Sequence, residues 1–129
     1  MIFLDENIIE SQRLLLRSWN IHIRQIGYEI GKKGMKDPKI IPFLQKTGEG
    51  TFFTRDRGFY RRTLCHSKYC IVCLTVGQSE VAIFIQRLLK HSEFNTKFKR
   101  LGKVVSVSHL RIRFWQLKQG DETFLEWAS

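Results

Sequence analysis

The sequence predicts an α/β fold with a mainly parallel sheet. Apolar runs of strand length alternate with segments of helical period, and two of these runs, 1–4 and 51–54, lead into acidic residues. Buried parallel strands are near-continuous apolar runs, and ligands bind at the carboxyl edge of the sheet that they form. We therefore expect an acidic site at that edge.

The first half of the chain predicts three strands and two helices. Ile8, Leu15 and Leu16 recur at helical spacing, and Asp37 followed by Pro38 is typical of a helix start. The predicted elements are a strand at 1–4, a helix at 8–19, a strand at 21–26, a loop at 27–36, a helix from 37 that ends at Gly48, and a strand at 51–54.

The second half predicts three more strands and a tail that docks on the body. A helix is expected to start at Ser79 and Glu80, and Arg111, Arg113 and Trp115 alternate with apolar residues along the last strand. The predicted elements are a basic helix at 58–64, strands at 69–75, 103–108 and 110–117, a short helix within 93–100, and a tail from residue 121.

The expected strand order places two carboxylates opposite each other. In the common order 2-1-3-4-5, strands one and three are neighbours at the point where the chain reverses its direction across the sheet. Asp5 follows strand one and Asp56 follows strand three. Both side chains should then flank the crevice where such sheets bind ligands.

The charge of the chain favours a polyanionic partner. The net charge is +10, and residues 32–68 hold ten basic and three acidic residues. A basic field attracts nucleic acid, although a membrane surface or an acidic protein would explain the charge as well.

The length of the chain, 129 residues, predicts a single domain, 1–129. No apolar run approaches the roughly 18 residues of a membrane span, and acids rather than an apolar segment follow Leu4, so we expect a cytoplasmic protein without membrane contact.

The three cysteines favour a reducing compartment rather than a metal site. Cys70 and Cys73 lie in a predicted strand, where residues three apart point to opposite faces. They could not share one zinc ion, and buried apolar thiols are the better interpretation even with Cys65 nearby.

Carboxylates in a basic field predict a site for a hard cation. Asp5, Asp37 and Asp56 are the candidate ligands, and Glu6 is a further one. Oxygen ligands favour Mg²⁺ or Mn²⁺, which can bind a phosphate oxygen and activate a water for in-line attack. Purely structural roles remain open: all four acids stand where they could cap or begin a helix.

Three motifs resemble the small bacterial PIN-like proteins of the VapC-like superfamily. They are Leu4-Asp5-Glu6-Asn7, the helix start at Asp37, and Thr54-Arg55-Asp56-Arg57-Gly58-Phe59. The last of the three corresponds to the family pattern TxDxDF. The order of the remaining elements is also similar, so that the resemblance extends over roughly the whole chain. It implies a three-layer α/β/α PIN-like sandwich with a central, mainly parallel five-stranded sheet.

The resemblance also implies an activity. Such proteins are Mg²⁺- or Mn²⁺-dependent endoribonucleases, often the toxin of a toxin–antitoxin pair, and PIN-type domains often form homodimers. By position, Asp5 and Asp56 would be metal ligands and Asp37 the acid of the helix start, and Thr54 would orient Asp56 or a bound water. The second aspartate of TxDxDF is Gly58 here, which weakens cation affinity and makes activity less secure than fold.

Substrate contacts are expected from basic residues around the acids. The candidates are Lys36, Arg55, Arg57, Arg61 and Arg62. Guanidinium groups bind phosphates in a bidentate manner, so RNA, such as tRNA or mRNA, is the expected substrate.

Three alternatives to the nuclease remain. One is a nucleic-acid-binding module with a degenerate metal site, and another is a phosphatase that uses an aspartate as phosphoryl acceptor. In the third, the basic surface binds an acidic antitoxin, which is compatible with the nuclease and would silence it.

Overall fold

The protein has a mixed sheet that is covered by helices on both faces. The structure is a computed structural model that describes residues 1–35 and 37–127, with the backbone alone for Asp37. Within these residues the sheet has seven strands in the order β2-β1-β3-β4-β5-β6-β7. The strands are β1 (Ile2–Leu4), β2 (Arg24–Gln25), β3 (Gly50–Thr54), β4 (Tyr69–Leu74), β5 (Lys103–Val107), β6 (Arg111–Gln116) and β7 (Thr123–Glu126).

The helices divide between the two faces of the sheet. They are α1 (Glu10–Ser18), α2 (Asp37–Thr47), α3 (Val81–Lys90) and the short α4 (Lys97–Arg100). Leu16 of α1 and Ile85 of α3 share one buried cluster with Phe53, whereas Leu44 of α2 packs on the opposite face with Phe52. The alternation of neighbouring strand residues between these clusters is the two-residue period of a strand.

The parallel part of the sheet has the expected order. The strands β2, β1, β3, β4 and β5 pair in parallel, with Leu4 of β1 between Gln25 and Phe53. The carboxyl ends of β1 and β3 are therefore neighbours. This confirms the strand order 2-1-3-4-5 on which the predicted site depends.

The sheet has more strands than the five that the resemblance implies, because two antiparallel strands extend it beyond β5; the strand predicted at 110–117 is β6, and β7 was not predicted. Strand β6 pairs with β5, and β7 pairs with β6. The tail was expected only to dock on the body. Its residues instead alternate in exposure, with Leu125 packed against the core and Phe124 exposed, as in a strand at the edge of a sheet.

Three shorter elements also differ from the prediction. The segment 58–64 forms two 3₁₀ helices, Arg57–Phe59 and Arg62–Leu64, rather than one α-helix. The predicted strand 21–26 shortens to β2. A 3₁₀ helix, Gln78–Glu80, precedes α3, whose first turn has no side-chain cap from Glu80. In the described residues, no helix is both long and apolar enough to cross a membrane.

Candidate functional site

Thr54 connects the two acidic strand ends. It is fully buried at the end of β3. Its Oγ1 donates to Oδ2 of Asp5 at 2.6 Å and accepts from the backbone N–H of Asp56 at 3.0 Å. The backbone N–H of Asp5 also donates to the carbonyl of Phe53 at 2.9 Å. One hydroxyl therefore fixes both the Asp5 carboxylate and the start of the Asp56 loop.

Asp56 lies exposed where the chain leaves β3. Its Oδ1 accepts from the N–H of Gly58 at 2.8 Å and thereby caps the 3₁₀ helix Arg57–Phe59. The structural role expected as an alternative for Asp56 is thus present in the molecule. The exposed position nevertheless leaves the carboxylate accessible from solvent.

The chain after Asp5 is held by a buried glutamine. The side-chain amide of Gln25 donates to the carbonyls of Asp5, Glu6 and Ile8, at 3.0, 3.2 and 2.7 Å. The N–H of Glu6 also donates to Oδ1 of Asp5 at 2.7 Å. Sequence reasoning missed Gln25, whose only signal was a polar residue at the alternating position that Ile21 and Ile23 occupy in the predicted strand.

Glu6 contacts the glycine-rich loop that follows β2. Its carboxylate accepts from the N–H of Gly34 with both oxygens, at 2.5 and 2.9 Å. A Cβ at Gly27 would lie 2.9 Å from Oε1 of Glu6, and the φ angle of Gly27 is +88°. The positive φ angle therefore favours glycine at position 27, its lack of a side chain leaves room for the Glu6 carboxylate, and Glu6 holds this loop beside the site.

Two predicted residues cannot be placed. Lys36 and the side chain of Asp37 lie outside the described residues, although the backbone confirms that Asp37 begins α2. Within the described residues, histidine, cysteine, aspartate and glutamate side chains form no group of three or more placed to hold a metal ion. Asp5 and Asp56, joined through Thr54, are therefore the pair on which a cation site would depend.

This pair fits a hard divalent cation by its chemistry. Both groups are carboxylates at the carboxyl edge of adjacent parallel strands, and their oxygens suit Mg²⁺ or Mn²⁺. Mg²⁺ is commonly bound through one or two carboxylates, with water and substrate phosphates as the remaining ligands. Two aspartates are therefore sufficient in principle.

The side chains of the four predicted arginines lie in different environments. The Nε of Arg55 donates to the carbonyl of Val76 at 3.1 Å, and Arg57 lines a small cavity beside the end of β4. Arg61 lines a separate hollow, and the guanidinium of Arg62 lies 5.9 Å from the Trp115 ring centroid. Arg55 and Arg57 flank Asp56 in the chain, and of the two Arg57 lines a cavity.

A second polar cluster near this edge was not predicted. The hydroxyl of Tyr60 donates a hydrogen bond to the Glu122 carboxylate. That carboxylate also lies 3.6 Å from a guanidinium nitrogen of Arg113. The Arg113 guanidinium in turn stacks over the Tyr60 ring, with 4.7 Å between its Cζ and the ring centroid. Burial, followed by the Glu122 contact, raises the pKa of Tyr60. The phenol therefore stays protonated at neutral pH, and one face of its ring is covered.

Two of the three cysteines are buried thiols, as predicted. Cys70 and Cys73 pack in the clusters on opposite faces of the sheet. Burial raises the pKa of both to about 12, and at Cys73 the nearby Asp56 carboxylate adds to the effect. Cys65 is partly buried.

Compared with known proteins, the chain matches no family model, no curated protein and no solved structure.

Proposed function

We propose that this protein is a divalent-metal-dependent endoribonuclease of PIN-like type, a hydrolase that cleaves RNA phosphodiesters. The observation that carries the proposal is the hydrogen-bonded chain from Asp5 through Thr54 to Asp56 at the carboxyl edge of the sheet. The net charge of +10 supports a polyanionic substrate.

The residues of the site have separable roles in this proposal. Asp5 and Asp56 bind Mg²⁺ or Mn²⁺, with Asp37 as the third acid, and Thr54 keeps the Asp5 carboxylate in its orientation. The bound cation supplies Lewis acidity for water activation and charge stabilisation. Arg57 binds a phosphate of the RNA strand beside the one that is cleaved. An acidic antitoxin bound to the basic surface would block this access.

Cleavage of mixed cellular RNA by the purified protein tests the proposal. We expect Mn²⁺- or Mg²⁺-dependent cleavage that EDTA abolishes and that leaves 5′-phosphate and 3′-hydroxyl ends. Asp56→Asn should abolish it, whereas Asp121→Asn, which makes the same change in an exposed turn before β7, should not. Cleavage that persists in EDTA, or that yields 2′,3′-cyclic phosphate ends, would refute the proposal.

A nucleic-acid-binding module without catalysis is the second candidate. It is favoured by Gly58, which stands where the PIN-like pattern has an aspartate. This alternative predicts that RNA binding survives Asp56→Asn and that no divalent cation produces cleavage.

A further inference from the structure

One row of paired residues crosses the sheet from the acidic edge to its last strand. Along this row Thr54 pairs with Cys73, Cys73 with Ser106, Ser106 with Arg113, and Arg113 with Phe124. Paired residues on adjacent strands lie on the same face. With strands ~4.8 Å apart, the row extends about 19 Å from Thr54.

Two adjoining hollows follow this row, and they share Thr75, Ser106 and Arg113. The hollow nearer to the acidic edge has a volume of about 140 Å³ and is also lined by Arg57 and Tyr60. Because Arg57 follows Asp56 directly in the chain, this hollow begins beside the candidate cation site. The shared residues show that the two hollows adjoin, and together they are called the groove.

The outer hollow has a volume of about 260 Å³ and is also lined by Ser108, Arg111 and Phe124. Phe124 has 56% of its surface exposed, which is a large fraction for a phenylalanine with no ligand bound. The outer end of the groove therefore presents a cation, a hydroxyl and an open aromatic ring side by side.

The charged residues that line the two hollows are three arginines, Arg57, Arg111 and Arg113. Two acids lie near them: the Glu122 carboxylate is shared between the Tyr60 hydroxyl and Arg113, and Glu126 is paired with Arg111 across β6 and β7. In the described part of the chain, Arg57 and Arg111 form no ion pair with a carboxylate. Two of the three arginines thus remain available to an anionic ligand.

We propose that a single-stranded nucleic acid lies along this groove, with its phosphates on Arg57, Arg113 and Arg111 and an unpaired base stacked on Phe124. The proposal extends the proposed nuclease function, because the groove begins at the acidic edge. A positively charged groove with an aromatic platform is the usual means of binding single strands, since every base has a face that can stack. An acidic polypeptide would use the arginines but has no need of the exposed ring.

Binding of a fluorescein-labelled single-stranded oligouridine RNA, measured by anisotropy in EDTA at several salt concentrations, tests the proposal without any cleavage. Arg111→Gln should lower the affinity and reduce the slope of log K against log salt by about 0.7, the value for one lost phosphate contact on a single strand. Arg24→Gln is the matched control, since Arg24 lines a separate hollow with Met1 and Asn20.

Phe124 provides an independent test. Phe124→Ala should lower the affinity about fivefold or more without changing the salt slope, and Phe124→Trp should retain it. The proposal is overturned if Arg111→Gln behaves like Arg24→Gln, if Phe124→Ala has no effect, or if polyglutamate or duplex RNA binds as well as the single strand.

The two proposals fail separately. Loss of binding in these variants without any metal-dependent cleavage of RNA would support the groove and refute the nuclease. Metal-dependent cleavage with unchanged binding in Arg111→Gln and Phe124→Ala would support the nuclease and refute the groove.

Discussion

The buried amide of Gln25 donates a hydrogen bond to the backbone carbonyl of Asp5, with 3.0 Å between the two atoms. The same amide nitrogen reaches the carbonyls of Glu6 and Ile8, and Gln25 has 1% of its surface exposed. A strand two residues long therefore fixes the backbone that carries the first acidic residue of the site. Gln25 is a positioning residue, since it acts on Asp5 through the main chain.

We expect Gln25→Leu to lower the free energy of unfolding by about 2 kcal/mol, because it leaves buried carbonyls without a donor. Cleavage by the folded variant should also fall, since Asp5 loses its backbone support. Gln12→Leu is the matched control: Gln12 is also buried and bonds the N–H of Ala82 at 2.9 Å, away from the acids. Urea unfolding followed by cleavage assays on folded protein measures both effects. Equal cleavage by the two variants would show that Gln25 has no positioning role.

Thr54→Val should affect the site more than its small change in shape suggests. The substitution removes the hydroxyl that donates to Asp5 and accepts from Asp56, and we expect a loss of about 2 kcal/mol in stability. Loss of a hydrogen bond that orients a metal-binding carboxylate reduces activity about 10- to 100-fold. Manganese-dependent cleavage rates and denaturant titrations provide the measurements.

Two variants separate orientation of the site from general stability. Thr54→Ser keeps the hydroxyl and should keep activity. Thr51→Val removes another buried hydroxyl of β3, which accepts from Nε of Arg100 at 2.9 Å, and should lower stability but leave cleavage by the folded protein unchanged. If Thr54→Val cleaves RNA as fast as Thr51→Val, the Thr54 hydroxyl does not orient the site.

The cysteines should differ sharply in reactivity with a thiol reagent. We expect Cys65 to react in the native protein, whereas Cys70 and Cys73, with 0% and 1% exposure, react only after unfolding. Cys65→Ser should remove the native-state reaction, and guanidinium should expose all the remaining thiols. Rapid native-state labelling of Cys65→Ser would contradict the buried positions.

The same thiols predict how stability depends on pH. Their pKa rises from 9.0 to about 12 on folding because burial disfavours the thiolate. The folded state therefore holds more protons than the unfolded state between these values, and the free energy of unfolding should fall as the pH rises from 9 to 12. Urea unfolding across this range should show a smaller decrease for Cys70→Ala than for the wild type.

The parallel part of the sheet was predictable because its signals are local. Strands β1 and β4 are continuous apolar runs and β3 is centred on Phe52 and Phe53, and each of the three ends at a change of composition that marks the sheet edge. The common strand order then placed Asp5 beside the end of β3. Thr54 was expected to orient Asp56 or a water, whereas its hydroxyl also holds Asp5.

The parts of the fold and the site that could not be predicted depend on contacts between distant parts of the chain. Tyr60 and Glu122 are 62 positions apart, and the groove exists because the antiparallel register of β6 places Arg113 beside Ser106. The alternation of Arg111, Arg113 and Trp115 was visible in the sequence, but the face that they share could not be assigned without the register of β6 and β7. Likewise, β7 is too short for its period to distinguish a strand from a docked tail.

Gly58 offers the most direct test of the cation site. A Cβ at this position would lie 3.0 Å from Oδ1 of Asp56, so an aspartate side chain introduced there begins beside the existing carboxylate. We expect Gly58→Asp to lower the Mn²⁺ concentration for half-maximal cleavage by about tenfold, because cation affinity increases with the number of charged ligands. The substitution also removes space for the contact between Asp56 and the Gly58 N–H, and adds a like charge.

Gly58→Asp should consequently be less stable than the wild type in EDTA and regain stability when Mn²⁺ is added. Gly58→Asn is the matched control, since it introduces the same steric contact without the charge and should show the loss with a smaller recovery. Thermal unfolding with and without Mn²⁺, together with Mn²⁺ titrations of cleavage, measures both effects. If the two variants respond equally to Mn²⁺, a carboxylate at position 58 does not bind the cation; if neither responds, no cation binds beside Asp56. If Gly58→Asp recovers more than Gly58→Asn, the carboxylate pair at this edge binds a divalent cation, and the glycine accounts for a weaker site in the natural sequence.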